Sequence, residues 1–387
     1  MKIAFLLGDA AISGGTYVIL QHALYLKRIG HDVTIFFIYF NCKKWHEAFN
    51  NITFKYIYDY KNEHFDIAIA TWWKTVFFLE KIKATQKLYF VQSIESFFIN
   101  NSQFELKKEI NSTYKINLPI ITESSWIKNY LKKKYNSDAT VVKNGIRKDY
   151  LFPPANGGLK RRVLIEGPVD VDFKNVPRTI ALCKKYSSFE IWLLTSSPIK
   201  SFPGVSKVFS NIPAHQVGDI YRECDYIVKL SYVEGMFAPP LEMFHCGGTA
   251  IVYNVTGHEE YMFNNFNSII IKESDEKALG NAIQSLEKDP KLLSKLKYNA
   301  IITASLWPDW SISSKNFSDA ILAASTKQLH WENLYTSTKT SRFTLMSFLS
   351  KIPFFLTFYR KFCLNVMCPY LYPFLPNRGK RKKDIEL

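Results

Sequence analysis

The sequence predicts an α/β protein of two Rossmann-like, doubly wound halves facing a cleft, with a C-terminal extension. Three observations predict it. Short, wholly apolar runs alternate with stretches whose apolar residues fall three or four apart. That is the pattern of buried parallel strands and of the helices that cover them. The alternation runs twice, broken once by a stretch rich in Asn, Gly and Pro. The 387 residues exceed what one core ordinarily serves.

The first series opens with KIAFLL, a strand. A loop holding Gly14 and Gly15 follows, and Val18, Leu20, Ala23, Leu24 and Leu26 then mark a helix that Gly30 ends. DVTIFFIYF is the next strand. A strand, crossover helix and strand in this order imply a right-handed connection and a parallel sheet. FDIAIAT, QKLYFVQS and LPIITES read as further strands. The pattern dissolves at VKNGIRKDYLFPPANGGLK, which places a linker at about residues 144 to 160. The second series reads RRVLIEG (strand), VPRTIALCKKY (helix), FEIWLLT and VSKVFS (strands), AHQVGDIYREC (helix) and DYIVKLS (strand). TAIVYNV and SIIIK are its last strands, and the chain from Asp275 to Ser305 is mostly helical. The domains expected are therefore 1–150, 151–325 and an extension over 326–387, with the last helix of the second able to cross back to the first.

The net charge of +16 favours polyanionic partners such as phosphorylated small molecules, anionic lipid or nucleic acid. No helix-turn-helix, RNP or zinc pattern supports nucleic acid. The six cysteines form no C-x-x-C pair, which fits a reduced, cytoplasmic setting. Asp9 interrupts the first apolar run too early for a signal peptide, and no uncharged run is long enough to span a membrane. From Lys339 onward the extension is aromatic and basic. Leu345, Leu349, Ile352, Leu356, Tyr359, Cys363 and Val366 make one helical stripe, and Arg378, Lys380, Arg381, Lys382 and Lys383 follow. It reads equally as an anchor on an anionic membrane surface, at about 1 kcal/mol per basic residue, and as a helix packed on protein.

The chemistry concentrates in VEGMFAPPLEMFHCGG, residues 233–248. Glu234 is expected to end the strand before it. Pro239 and Pro240 suit the first turn of a helix, where a missing N–H costs little, and Glu242 is expected in that turn. A carboxylate there can accept both hydroxyls of a ribose diol, and free amides beside it can hold a phosphate oxygen. Glu234 would reach the hydroxyls of a transferred sugar. Two glutamates on a solvated loop and helix start are the plain alternative.

This stretch resembles the pattern E-G-F-G-x-P-x-L-E-A-x-A-x-G of the family-four retaining glycosyltransferases, rhamnosyltransferase- and mannosyltransferase-like members included. GGTYVILQHALYLKRIGHDVTIF, ITESSWIKNYLKKKY with VVKNGI, FSNIPAHQVGDIYRECDYIVKLSYVEG and CGGTAIVYNVTGHEEY are similar to other family segments in order and spacing. The resemblance covers about residues 1 to 325. It implies a GT-B fold and transfer of a hexose or deoxyhexose from a nucleotide-sugar donor, with retention and without metal or other cofactor. The acceptor implied is a glycan or lipid-linked glycan of surface polysaccharide synthesis, at the inner face of the plasma membrane.

The resemblance also implies roles. Gly14 and Gly15 match the loop that approaches the donor diphosphate, where the missing Cβ lets amides come close. Asn211 and Pro213 lie where the base is held by backbone groups, and Pro239 and Leu241 flank the acid pair at the donor. Lys174 matches the lysine that clamps the diphosphate, while Pro168 stands where an arginine is expected. One lysine at about 4 Å contributes roughly 4 kcal/mol at an effective dielectric of about 20, against at most about 2 from a helix N-terminus. Lys174 would thus be the main cation on the leaving group unless Arg178 swings in. Glu95 matches an acid that orients the acceptor hydroxyl, with Ser93 in place of a second acid; it reads equally as an acid at a helix start. Thr71 would face the same cleft, and Phe237, replacing a glycine, would reshape the sugar pocket toward a deoxyhexose. His258 is a candidate base or a solvated loop histidine, and Glu260 matches a common family glutamate. Glu234, Lys174 and Glu95 are the catalytic candidates. A catalytically degenerate partner in a glycan-assembly complex is the alternative, given Pro168, Phe237 and Ser93. A related epimerase would need a histidine among well-placed carboxylates, and a phosphorylase a longer chain.

Overall fold

The computed structural model describes residues 1–39, 44–60, 63–155 and 158–325. The expected extension, 326–387, lies outside the described residues. Among the described residues thirteen strands form two sheets. β1 (Lys2–Leu7), β2 (Asp32–Phe37), β3 (Thr53–Tyr56), β4 (His64–Ala70), β5 (Lys83–Val91), β6 (Ile120–Thr122) and β7 (Ala139–Val141) make the first. β8 (Arg162–Glu166), β9 (Glu190–Thr195), β10 (Lys207–Ser210), β11 (Tyr226–Lys229), β12 (Thr249–Tyr253) and β13 (Ile269–Ile271) make the second. The helices in chain order are α1 (Gly14–Arg28), α2 (Ala48–Asn51), α3 (Trp73–Val76), α4 (Phe104–Thr113), α5 (Ser125–Tyr135), α6 (Val176–Tyr186), α7 (Ala214–Arg222), α8 (Ala238–His245), α9 (Glu276–Lys288), α10 (Pro290–Ser305) and α11 (Trp310–Ser325).

Both sheets are wholly parallel. Their orders are β3-β2-β1-β4-β5-β6-β7 and β10-β9-β8-β11-β12-β13. In each, the winding reverses beside the first strand, between β1 and β4 and between β8 and β11. Ligands of such sheets bind beyond the carboxyl ends of the strands at that reversal. The apolar runs read from the sequence are these central strands, buried because helices cover both faces. Val163, Leu164 and Ile165 of β8 are essentially inaccessible, and so are Ala250, Ile251 and Val252 of β12.

The return of the chain to its first half is visible in α11. Phe317 of α11 stacks on His22 of α1 with ring centroids 4.2 Å apart, and His22 Nδ1 lies 3.0 Å from the Ser314 hydroxyl. The segment after β7 is held there as well. Ile146 bridges Asp309, and a Cβ at Gly145 would stand 2.5 Å from the Trp310 backbone.

Candidate functional site

α1 begins where the glycine loop ends. The Ser13 hydroxyl caps it, accepting from the Thr16 amide at 3.1 Å. Gly14 and Gly15 are its first two residues. A Cβ at Gly14 would meet nothing within 4 Å, so this surface is open. Gly15 faces the Gln92 side chain, whose Oε1 would lie 3.4 Å from an added Cβ. Gln92, just past β5, also turns its carbonyl toward Gly235, where an added Cβ would approach to 2.3 Å. The glycine loop, the end of β5 and the loop carrying the first glutamate thus converge.

Glu234 lies five residues beyond the end of β11, in a loop rather than on the strand as expected, because the ladder to β12 stops at Lys229. Glu242 is the fifth residue of α8, one turn later than expected. The helix already starts at Ala238, with Pro239 and Pro240 in its first turn. The Glu242 carboxylate accepts from the Tyr221 hydroxyl at 3.0 Å. Burial, and after it the nearby Glu166, push its carboxyl up to about 7.

Glu234 is held by two lysines. Lys174 Nζ donates to its two carboxylate oxygens at 2.9 and 2.8 Å. Lys229 Nζ stands 3.7 Å from Glu234 Oε1 and donates to Glu166 Oε2 at 2.7 Å. Sequence reading passed over Lys229 and Glu166. At an effective dielectric of about 20 the 2.8 Å contact is worth about 6 kcal/mol and the 3.7 Å contact about 4.5 kcal/mol before desolvation. Burial raises the Glu234 carboxyl, but Lys174 and Lys229 outweigh it and hold it below the ordinary range. Burial likewise lowers Lys229, and Glu166 and Glu234 outweigh that too. Glu234 is therefore held ionised, with both oxygens on Lys174.

The remaining expected residues fall in several places. Glu95 accepts from the Trp73 amide at 3.1 Å and from the Tyr89 hydroxyl at 3.3 Å, and burial pushes its carboxyl up to about 8. Its carboxylate is committed to the start of α3. Thr71 is buried, and its hydroxyl donates to the Leu6 carbonyl at 2.8 Å, so it offers no group to the cleft. Phe237 corrects the expectation of a reshaped pocket: its ring is fully buried in the core among Leu241, Phe244 and Tyr261. Leu241 is buried in the same core, which leaves only its backbone to a ligand. Asn211 is exposed just past β10, with a left-handed backbone and its amide on the Thr195 carbonyl at 3.0 Å. His258 turns Nδ1 onto the Val255 carbonyl and Glu259, and these bonds, opposing burial, hold its ring above the ordinary value. Arg178 is paired with Glu276 at 2.6 Å. Among the described residues no group of three or more His, Cys, Asp or Glu is placed to hold a metal ion.

The two sheets meet around these groups. Trp126 Nε1 donates to the Gly235 carbonyl at 2.7 Å. Phe173, beside Lys174, stacks on Phe98 at 4.8 Å. Glu260 accepts from the Ser125 amide at 2.5 Å and so caps α5 from the other half. Glu123, also unremarked in the sequence, is buried beneath Gly235. Asn144 Nδ2 donates to it at 2.7 Å, and burial pushes its carboxyl up to about 8.

Residues 204–303 match the family model described as glycosyl transferases group 1. No curated protein sequence matches the chain. Solved structures do. A sucrose-phosphate synthase from Thermosynechococcus elongatus superposes with a TM-score of 0.67 at 16% identity, over 83% of this chain and 98% of that one. HepE of Anabaena, in complex with UDP and glucose, gives 0.68 at 12% identity, over 84% and 100%. WaaG, a glycosyltransferase involved in lipopolysaccharide biosynthesis, gives 0.63 at 12% identity, over 82% and 99%. At such identities the likeness is one of fold, and the fold is GT-B. The group 1 match across residues 204–303, set on this shared fold, indicates that the chain is a glycosyltransferase.

Proposed function

We propose that the chain moves a hexose or deoxyhexose from a nucleotide-sugar donor to a glycan or lipid-linked glycan acceptor in surface polysaccharide synthesis, with retention at the anomeric carbon. The observation that carries this is the ionised Glu234, held by Lys174 beyond the end of β11, with its neighbour Gly235 against Gln92, whose side chain lies beside Gly15 at the start of α1. Related support comes from HepE, whose structures hold UDP with glucose and UDP-glucose. In this reading residues 1–150 form the acceptor side and 151–325 the donor side. Gly14 and Gly15 present amides to the diphosphate. Lys174 neutralises the leaving group, Glu234 takes hydroxyls of the sugar, Glu242 takes the ribose diol, and the backbone around Asn211, Pro239 and Leu241 lines the nucleotide. Glu95 acts on the acceptor side by fixing the Trp73 segment.

The nucleotide diphosphate departs, an oxocarbenium-like centre forms, and the acceptor attacks from the same face. The leaving phosphate takes the acceptor proton, so the protein supplies position and charge, and no metal is required. The enzyme would work in the cytoplasm at the inner face of the membrane, with the extension as its contact. Among the described residues no helix is long and apolar enough to cross a membrane.

Binding and hydrolysis across a panel of UDP-, GDP- and dTDP-sugars test this, with wild type beside Glu242→Ala and Lys174→Ala. Selective binding of one nucleotide, lost in both variants, is expected. A folded protein that binds no donor would instead be a degenerate partner in a glycan-assembly complex, a reading favoured by Pro168 where a second cation is expected.

A further inference from the structure

Lys229 is a charge that the donor reading leaves without a task. It ends β11, whose other residues Tyr226, Ile227 and Val228 are apolar and buried, and its own side chain is 1% exposed. Glu166, which it pairs with, ends β8, the neighbouring strand across the reversal point. Lys174, Glu234, Lys229 and Glu166 thus form one chain of alternating charge, two against two. Lys174 donates to both Glu234 oxygens, at 2.9 and 2.8 Å.

We propose that Lys229 is a positioning residue that lets Lys174 change partner, holding Glu234 in place while Lys174 passes to the leaving diphosphate. The inference rests on the donor reading above. The Glu234 side chain is 7% exposed, and a buried carboxylate stripped of its counter-ion is strongly disfavoured. With Lys229 already 3.7 Å away, Glu234 keeps a counter-ion when Lys174 leaves. The mobility is on the right side of the pair. Lys174 is 22% exposed and ends a three-residue 3-10 turn, Asp172–Lys174, whereas Lys229 lies in a strand and is held by the Glu166 carboxylate and by the Glu166 carbonyl at 3.2 Å. A lysine is a rotatable point charge and suits such an exchange, where a guanidinium fork would lock one geometry.

The test uses the full chain and the donor that wild type turns over fastest among UDP-, GDP- and dTDP-sugars. Lys229→Met is expected to lower kcat about 10-fold or more while changing donor KM less than about threefold, and Lys229→Arg to recover most of that loss. Lys174→Met lowers kcat comparably. The double variant is expected to be no worse than Lys174→Met alone, because both changes remove one step. Losses that multiply would overturn the proposal, as would a Lys229→Met enzyme with kcat within about twofold of wild type. If Lys229→Met does not fold, Glu166→Gln carries the test. Lys229, relieved of one acid, then turns wholly to Glu234 and releases Lys174. Whichever of UDP, GDP or dTDP wild type binds should bind several-fold tighter by calorimetry at about pH 8.5, where Glu242 is ionised in both proteins. Equal or weaker binding overturns the proposal. A wild type that binds and turns over no donor overturns the donor reading and this proposal together. An active wild type with unresponsive Lys229 and Glu166 variants overturns this proposal alone.

Discussion

Gly235→Ala is the sharpest single perturbation available. The glycine follows Glu234, and its backbone is outside the left-handed region, so added bulk is what the substitution tests. The new methyl would stand 2.3 Å from the Gln92 carbonyl oxygen and 2.7 Å from Glu123 Oε1. Both partners belong to the first sheet's half, and Gly235 to the second. The loop cannot slide the other way, because a Cβ at Gly257 would already be 2.5 Å from the Gly235 carbonyl, leaving no slack there. Relief therefore needs an opening of about 1 Å between the halves, at about 1–3 kcal/mol. It also loosens the bond from Trp126 Nε1 to the Gly235 carbonyl, worth about 1 kcal/mol. The expected loss is about 2–4 kcal/mol in urea unfolding. Activity should fall more than about tenfold in kcat/KM for the donor, because Glu234 moves with its neighbour. A variant within about 0.5 kcal/mol and twofold of wild type would refute the closed arrangement of the two halves.

Gly14→Ala is the opposite case: nothing stands within 4 Å, so stability should change by less than about 0.5 kcal/mol, yet donor affinity should drop about tenfold if a diphosphate sits against this surface. Unchanged affinity in a titration with the preferred nucleotide would remove the diphosphate from α1. Burial raises Glu95 and Glu123 to about 8 and Glu242 to about 7, above their unfolded values. Stability from these groups is complete below the unfolded carboxyl range, declines as pH rises above it, and is fully lost only once pH passes about 7 for Glu242 and about 8 for Glu95 and Glu123. The histidines lowered by burial, His22 to about 3 and His46 and His245 to about 4, have their effect below about pH 6.5 and do not interfere. Urea midpoints should therefore fall between about pH 7 and 8, by at most about 1.4 kcal/mol per unit for each group, with His258, held above its ordinary value, adding in the same direction, and Glu123→Gln should make the fall shallower. An unaltered slope in that variant would contradict the assignment. Glu260→Ala removes the cap on α5 and should cost about 0.5–2 kcal/mol, and a variant as stable as wild type would show that Ser125 does not depend on it.

What the sequence made legible here was whatever depends on neighbours in the chain. The apolar runs announce β1, β4, β8 and β12 because a strand covered on both faces must be apolar at every position. Thr53–Tyr56 and Ala139–Val141 escaped notice because they are only four and three residues long and partly exposed, so neither leaves such a run. The acid pair was legible because Pro239 and Pro240 mark a helix start, but its exact turn was not. A proline tolerates several first-turn positions, and only the structure shows that Ala238 opens α8. Phe237 shows the same limit: adjacency to Glu234 says nothing about side-chain direction, and the ring points to the core. Lys229 is the instructive omission. A lone lysine in DYIVKLS looks like a blemish in a buried strand, and a buried cation demands a counter-ion. That demand was readable. Its answer was not, because Glu166 lies 63 residues earlier and becomes a neighbour only when β8 and β11 pair across the reversal of the sheet. Glu123 follows the same logic, since its partner Asn144 comes from the segment after β7 and its neighbour Gly235 from the other half. The charges that decide how Glu234 behaves are thus set by topology, and a charged residue inside an apolar strand is the sequence signal that such a partner must exist.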